Sequence, residues 1–354
     1  MGTAKQRLFL HDKPIAGIDI SPTGVKIMAI DPKKWTVFGY GSVDLDPAKL
    51  QESLATGNTY LSDAINSLMT NHITGHIPSN HVAISIPTSR TYSRNIVLPR
   101  QAENNLLEAI QLEAEQYIPL PLTELNVGYE IIQKTDKDLT VTISAAPAVL
   151  IESLVAACEA SGLVVLMVEP GINSIARLVG YAEEGQLPTI LVDIGAATTD
   201  VAILDSTIRA SASVNEGGNS FTLKIAEKLQ VSLEAAHQLK VLEGISHGPK
   251  QAKIIDAIKP TLDQIIDKVQ KVLRYYTERI DGERQLAQVV IVGGGSNVPG
   301  LGEYFTNALV MPARVASPWQ VLDFGKLPQP VRQYKPRYIT AAGLACTLPE
   351  DILR

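Results

Sequence analysis

The chain is poor in several things, and each shortage argues against a class of function. Only two cysteines are present, Cys158 and Cys346, and no CxxC pair, which argues against a disulfide framework and a structural zinc site. Long hydrophobic runs are missing: the longest apolar stretch, Leu163 to Val168, falls far short of the ~20 residues that cross a bilayer. No amino-terminal signal peptide is expected, because Lys5 and Arg7 are followed only by Leu8-Phe9-Leu10 before His11-Asp12-Lys13. Aromatic residues make up 5% and the formal net charge is −6, a balance that suits neither a nucleic-acid groove nor a polybasic membrane patch. Basic residues cluster only around Arg90, Arg94 and Arg100 and from Arg332 to Arg337, and both groups read as solvated faces. The familiar GxxxxGK[ST], GxGxxG and GxSxG motifs are absent. Asp323-Phe324-Gly325 lacks every other kinase element. His72 and His76 lie beside Gly75 and Pro78 with no acidic partner between them, so a surface loop is expected there.

What is present is a repeat. Ile15 to Asp31 reads IAGIDISPTGVKIMAID, and Thr189 to Asp205 reads TILVDIGAATTDVAILD. An offset of 174 residues puts Asp19 on Asp193, Ile30 on Leu204 and Asp31 on Asp205. Each copy predicts two strands around an acidic, small-residue turn, and each is followed by a third strand (Trp35 to Val43; Ile208 to Val214) and a helix (Tyr60 to Met69; about Ser220 to Leu229). His81 to Pro87 reads as a buried strand. Residues 88–162, between the copies, read strand, helix (Ala102 to Tyr117), two strands (Asn126 to Gln133, Leu139 to Ala145) and helix (Ala148 to Ser161). Leu163 to Val168 returns to the sheet. The second half has its own insertion, with amphipathic helices expected at Glu227 to Lys240, Ile254 to Ile266 and Val269 to Ile280. Gln288 to Val292 is a strand that runs into Gly293-Gly294-Gly295-Ser296, and Pro299 is a plausible helix start.

The turns carry the chemistry. Asp19 is followed by Ser21, Thr23 and Gly24, so several backbone N–H groups can cradle phosphate oxygens, and Lys26 on the outgoing strand can meet a β- or γ-phosphate. The second copy offers Gly195, Ala196, Ala197, Thr198 and Thr199, with Asp200 where the first has Lys26. Asp19 and Asp193, with Asp200, are expected to hold Mg²⁺ mostly through waters, because Mg²⁺ dehydrates reluctantly. Three glycines at 293–295 would let a flat base lie against the backbone, or form a simple turn. Gly217-Gly218 leaves the same two readings open.

These segments resemble the actin-like ATPase superfamily, which includes actin, the 70-kDa heat-shock chaperones, sugar kinases, MreB and FtsA. GIDISPTGVK and VDIGAATTDVAI look like its two phosphate motifs, VVIVGGGSNVPGLGEYF its adenosine motif, and TAAGLACTL its last connecting helix. VEPGINSIARLVG resembles the first connecting helix, whose leading Glu positions the attacking water in hydrolytic relatives. By that resemblance Glu169 is a catalytic candidate, with Asp193 and Asp19 organising Mg²⁺. Lys240 matches a lysine that holds the nucleoside, while His237 stands where relatives have Glu. Ser21 and Pro22 replace glycine in the first turn.

The placement of the insert resembles FtsA and the PilM family of type IV pilus assembly. LEAEQYIPLPLTEL (Leu112 to Leu125) is similar to a PilM stretch. The chain is short for FtsA and ends at Leu348 to Arg354 without an amphipathic tail, which favours PilM. The resemblance implies an α/β, ribonuclease H-like duplicated fold. Its first core domain would take residues 12–87, 163–185 and 335–354, the inserted α+β subdomain 88–162, the second core domain 186–217 and 284–334, and a helical subdomain 218–283. It further implies a cytoplasmic Mg-ATP scaffold, with possible slow ATPase activity, held at the inner membrane through protein partners. Those partners would be the cytoplasmic tail of a PilN-like membrane protein and pilus assembly motor ATPases. The alternatives are a filament-forming FtsA- or MreB-like ATPase and, behind it, a sugar-kinase-branch phosphotransferase.

Overall fold

The computed structural model describes residues 13–182, 187–246, 248–316 and 318–352. The Lys5 to Leu10 stretch and the expected domain limits at 12, 185, 186 and 354 lie outside the described residues. The chain begins β1 (Ala16–Ser21), β2 (Gly24–Asp31), β3 (Thr36–Asp44), α1 (Pro47–Thr56), α2 (Tyr60–Asn71), β4 (Ile73–Gly75) and β5 (His81–Ile86). It continues with β6 (Tyr92–Pro99), α3 (Leu106–Tyr117), β7 (Leu125–Lys134), β8 (Asp138–Pro147), α4 (Ala148–Ala160), β9 (Val164–Pro170) and α5 (Gly171–Ala182). The second half runs β10 (Thr189–Ile194), β11 (Thr199–Asp205), β12 (Thr207–Val214), α6 (Gly218–Leu229), α7 (Leu233–Leu242), α8 (Gln251–Arg279), β13 (Gln288–Val292), α9 (Leu301–Leu309), β14 (Ala313–Val315) and α10 (Ile339–Ala345).

The repeat becomes two sheets, β4-β3-β2-β1-β5-β9 and β12-β11-β10-β13-β14, which share a five-strand order, with β4 as an extra edge strand on the first. In each, a hairpin runs antiparallel and its first strand pairs in parallel with a later one. The hairpins have matching registers, Asp19 opposite Lys26 and Asp193 opposite Asp200. Alternation along β2 explains the layers: Ile27 and Ala29 pack outward against α2, while Met28 and Ile30 join an inner core. That inner core is shared by both sheets, with Leu191, Ala202 and Val290 from the second, and α5 and α10 lie within it. Gly343 lets the two helices touch, since a Cβ there would come within 2.0 Å of the Ser174 carbonyl oxygen. The core shared by the two sheets is therefore crossed by a tightly packed helix pair.

The insert is a small sheet, β6-β8-β7, with α3 packed on it through Ile110. Its closing helix α4 goes elsewhere: Leu154 and Cys158 belong to the first domain's outer core. Three helix expectations need correction. Glu227 to Lys240 is broken, because Gln230 turns left-handed (φ 53°) and Ser232 starts a new helix by accepting from the Ala235 N–H. Ile254 to Ile266 and Val269 to Ile280 are one 29-residue helix whose buried face runs on without a break from Ile254 to Tyr276. Pro260 interrupts only the exposed side of that helix, where a lost backbone bond can be met by water. The α9 helix begins after Gly300 rather than at Pro299. The stretch between His72 and His76 is a short strand, β4, paired with β3, and not a loop.

Candidate functional site

The turns of the two hairpins face one another across a cavity of about 450 Å³ between the domains. From the first hairpin come Asp19, Ser21, Thr23 and Lys26, and from the second Asp193, Gly195, Ala197, Thr198 and Asp200. Gly218 and Lys240 line the same space, with Gly293, Gly294 and Gly295 beside them.

The two copies treat their aspartates differently. Lys26 is buried, and its Nζ donates to Asp19 Oδ2 at 3.1 Å, to Ser21 Oγ and to the Gly24 carbonyl. Ser85 Oγ donates to the other Asp19 oxygen at 2.9 Å. Asp19 is thus fully engaged. Asp193 has no side-chain donor among the described residues and has Asp200 as its cross-strand partner. Desolvation in the recess, and then the negative charges of Asp200 and Asp19, push its carboxyl up to about 8, against the opposing effect of Lys26. Burial raises Asp200 as well, while hydrogen bonds from Ser213 and Thr88 work the other way. An acidic, donor-poor recess of this kind matches a divalent cation and its waters, since a cation would reverse the shift. Among the described residues no three carboxylate, histidine or cysteine groups converge closely enough to bind an ion directly. The donor set fits Mg²⁺ held largely through water.

The floor is backbone. Gly293 has φ +90°, and a Cβ there would lie 2.1 Å from Asp193 Oδ1, so only glycine leaves the carboxylate its place. Lys240 is buried under this floor and donates to the Gly218 carbonyl and Thr222 Oγ1 at 2.9 and 2.8 Å. Burial lowers its ammonium to about 8. His237 lines the cavity one turn earlier.

Several expected residues sit elsewhere. Thr199 is buried and donates to the Glu216 carbonyl, which ties β11 to the segment before α6. Ser296 closes its own turn by donating to the Gly293 carbonyl at 2.7 Å. Gly24 contributes only its carbonyl, to Lys26 and Ser21. Gly217 packs against the backbone of Gly195 and Ala196. The largest departure is Glu169. Its two carboxylate oxygens are held by Arg177 Nη1 and Nη2, both at 2.8 Å, and it lines a separate cavity. Arg177 also donates to the Gly343 carbonyl, so this ion pair ties α5 to α10.

Residues that the sequence reading passed over also line the cleft. Ser85 and Thr88 come from the ends of β5 and the turn after it. Arg337, grouped above with solvated cations, stands beside Gly294 and pairs with Asp44. Ser85 lies in register with Asp19 across β1 and β5, a pairing that only the folded sheet reveals. Nothing local could have identified Arg337.

Residues 17–347 match the family described as type IV pilus assembly protein PilM. The chain belongs to the PilM family. A solved PilM–PilN type IV pilus biogenesis complex resembles this PilM-family chain with a TM-score of 0.77 at 21% identity, over 94% of this chain and 97% of that one. The ethanolamine utilization protein EutJ of Carboxydothermus hydrogenoformans follows at TM-score 0.55 and 15% identity, over 94% and 89%. These likenesses show the fold, which is the duplicated actin-like one. Cell division protein FtsA of Neisseria meningitidis is 27% identical over 212 residues, 53% of this chain and 49% of FtsA. FtsA of Pseudomonas aeruginosa is 29% identical over 186 residues, 46% and 42%. The chain thus spans about half the length of the curated relatives it matches. No helix among the described residues is long and apolar enough to cross a membrane.

Proposed function

We propose that this PilM-family chain is an ATP-holding scaffold of pilus assembly. The observation that carries the reading is the pair of facing hairpins around one cavity, one presenting a cation and the other two carboxylates. Lys26 and the first turn would hold phosphate oxygens, and Asp193 and Asp200 would hold Mg²⁺ through waters. When bound, the metal supplies positive charge against the phosphates. The glycine floor, with Arg337 and Tyr334 at its rim, would accept the nucleoside. Because the site has walls from both domains, ATP favours whichever relative arrangement it binds more tightly. Holding suits the site better than rapid turnover, since the carboxylate of Glu169 is already taken by Arg177.

The output surface is the insert. Its sheet meets α5 around a cavity of about 380 Å³, lined by Glu130 and Thr142 on one side and Glu169, Asn173 and Arg177 on the other. On the outside of the insert Leu107 and Leu112 are 64% and 59% exposed, and Val97 and Tyr129 are also bare. A polar slot beside exposed apolar side chains suits a short peptide carrying both kinds of group. The partner is the cytoplasmic tail of a PilN-like protein, which would place the scaffold at the cytoplasmic face of the inner membrane. The test is capture of such a tail by this chain, with and without Mg-ATP, alongside calorimetric ATP binding to the parent and Asp193→Ala. ATP-dependent capture is expected. Equal ATP affinity in the two proteins would overturn the cleft assignment, and failure of capture in both nucleotide states would overturn the scaffold.

A further inference from the structure

A third cavity, of about 460 Å³, lies where the insert meets the second domain. Arg94 of β6, Arg209 of β12, and Lys268 and Lys271 of α8 line it, and no acidic residue does. Among the described residues none of these four cations forms an ion pair or a side-chain hydrogen bond, whereas Lys26, Arg177 and Lys240 are all engaged; Arg94 and Lys271 are exposed, and Arg209 and Lys268 are half-buried. Arg209 Nε is buried without an acceptor, and Tyr117 Oη is buried without a partner. Burial pushes the Tyr117 phenol up to about 12, so it remains a neutral donor. Arg94 lies over the Tyr117 ring at 5.0 Å, and Tyr275 stands across the same space. The carboxylate that acts on that phenol, Glu113, is on α3 and does not line the cavity.

The geometry points to a binding site for a compact polyanion bearing phosphate groups, taken between Arg94 on the insert and Arg209, Lys268 and Lys271 on the second domain. Unpaired like charges gathered around one space repel, and a multiply charged anion turns that repulsion into attraction. Arginine forks and lysine ammonium groups are the side chains that bind phosphate best. An acidic peptide strand is a poorer occupant. Cα atoms of β6 and β12 approach within 8 Å, less than the roughly 9.5 Å needed to insert a strand with a neighbour on each side.

Calorimetric titration of inorganic tripolyphosphate without Mg²⁺ tests this on the full chain. The variants are Arg94→Ala/Lys271→Ala, two exposed positions whose truncation leaves the core intact, and Lys26→Ala, which removes the cation of the interdomain cleft. The expected result is a component of binding that weakens at least roughly tenfold in the double variant and survives in Lys26→Ala. Binding unchanged in the double variant, or abolished by Lys26→Ala alone, would place the anion in the cleft and overturn the proposal. Tighter binding of an oligoglutamate peptide than of tripolyphosphate at the same residues would overturn the compact ligand.

Discussion

The two hairpins share a backbone and differ in what balances their aspartates. In the first, Asp19 faces Lys26 across the ladder and accepts from Ser85 as well, so its charge is neutralised inside the protein. In the second, Asp193 faces Asp200, and the charge is left for something outside to neutralise. The ends of the copies diverge likewise. Asp31 accepts from the Lys33 and Lys34 N–H groups of its own turn, whereas Asp205 reaches away to Tyr276 on α8 and to Arg284. Duplication supplied one shape twice. Divergence at single cross-strand positions set a lysine against one aspartate and a second aspartate against the other, which is the asymmetry the proposed phosphate and cation roles rest on.

The comparison can be broken most severely at its one internal cation. Lys26→Ala is expected to weaken ATP binding by about 100-fold, because it removes a buried charge-assisted contact worth roughly 1.5–3 kcal/mol and leaves Asp19 unbalanced. Calorimetry reads this directly. Gly293→Ala comes next, since a methyl group would fall on Asp193 Oδ1 at a left-handed φ. It should destabilise the nucleotide-free protein by about 2–3 kcal/mol, seen as a lower midpoint in urea.

Converting the second hairpin into a copy of the first is the sharper test. In Asp200→Lys the enhancement of ATP affinity by Mg²⁺ should disappear, a change of about tenfold, although affinity without Mg²⁺ should hold or rise. Titrations in Mg²⁺ and in EDTA separate the two. The smallest effect concerns Asp193 alone. Its folded value of about 8 lies above the ordinary 3.8, so its contribution to stability is complete below pH ~4 and is lost as pH rises through 8. Asp193→Asn imitates the protonated form. Its gain in melting temperature should grow from pH 5 to pH 8, reaching a few degrees. A gain that does not vary with pH would show that Asp193 ionises freely in the cleft.

Much of the fold was legible because its signals are local. The two copies of the hairpin repeat one pattern of apolar strands around an acidic turn, and the polar turn at Lys134 to Lys137 sits between two runs that become β7 and β8. Where local signals failed, the reason was also physical. Asp267 and Lys268 look like a break between two helices, yet they are two outward positions on a helix whose next buried residue is Val269. Helix α4 adjoins the insert in sequence, but its apolar face finds a larger surface on the first sheet.

By itself the sequence determined the doubled hairpin, the equivalence of Asp19 with Asp193 and of Lys26 with Asp200, and the glycine-ended strand that follows the second copy. Periodicity of two or 3.6 residues and the chemistry of turns act over a few neighbours, so they can be read in order along the chain. Tertiary structure alone decided which charges are balanced. Glu169 is closed off by Arg177, Arg337 enters the cleft, and Arg94, Arg209, Lys268 and Lys271 meet around one cavity although they are scattered through the sequence. Desolvation and charge pairing depend on what the folded chain brings within a few ångströms, and no stretch of sequence records that distance.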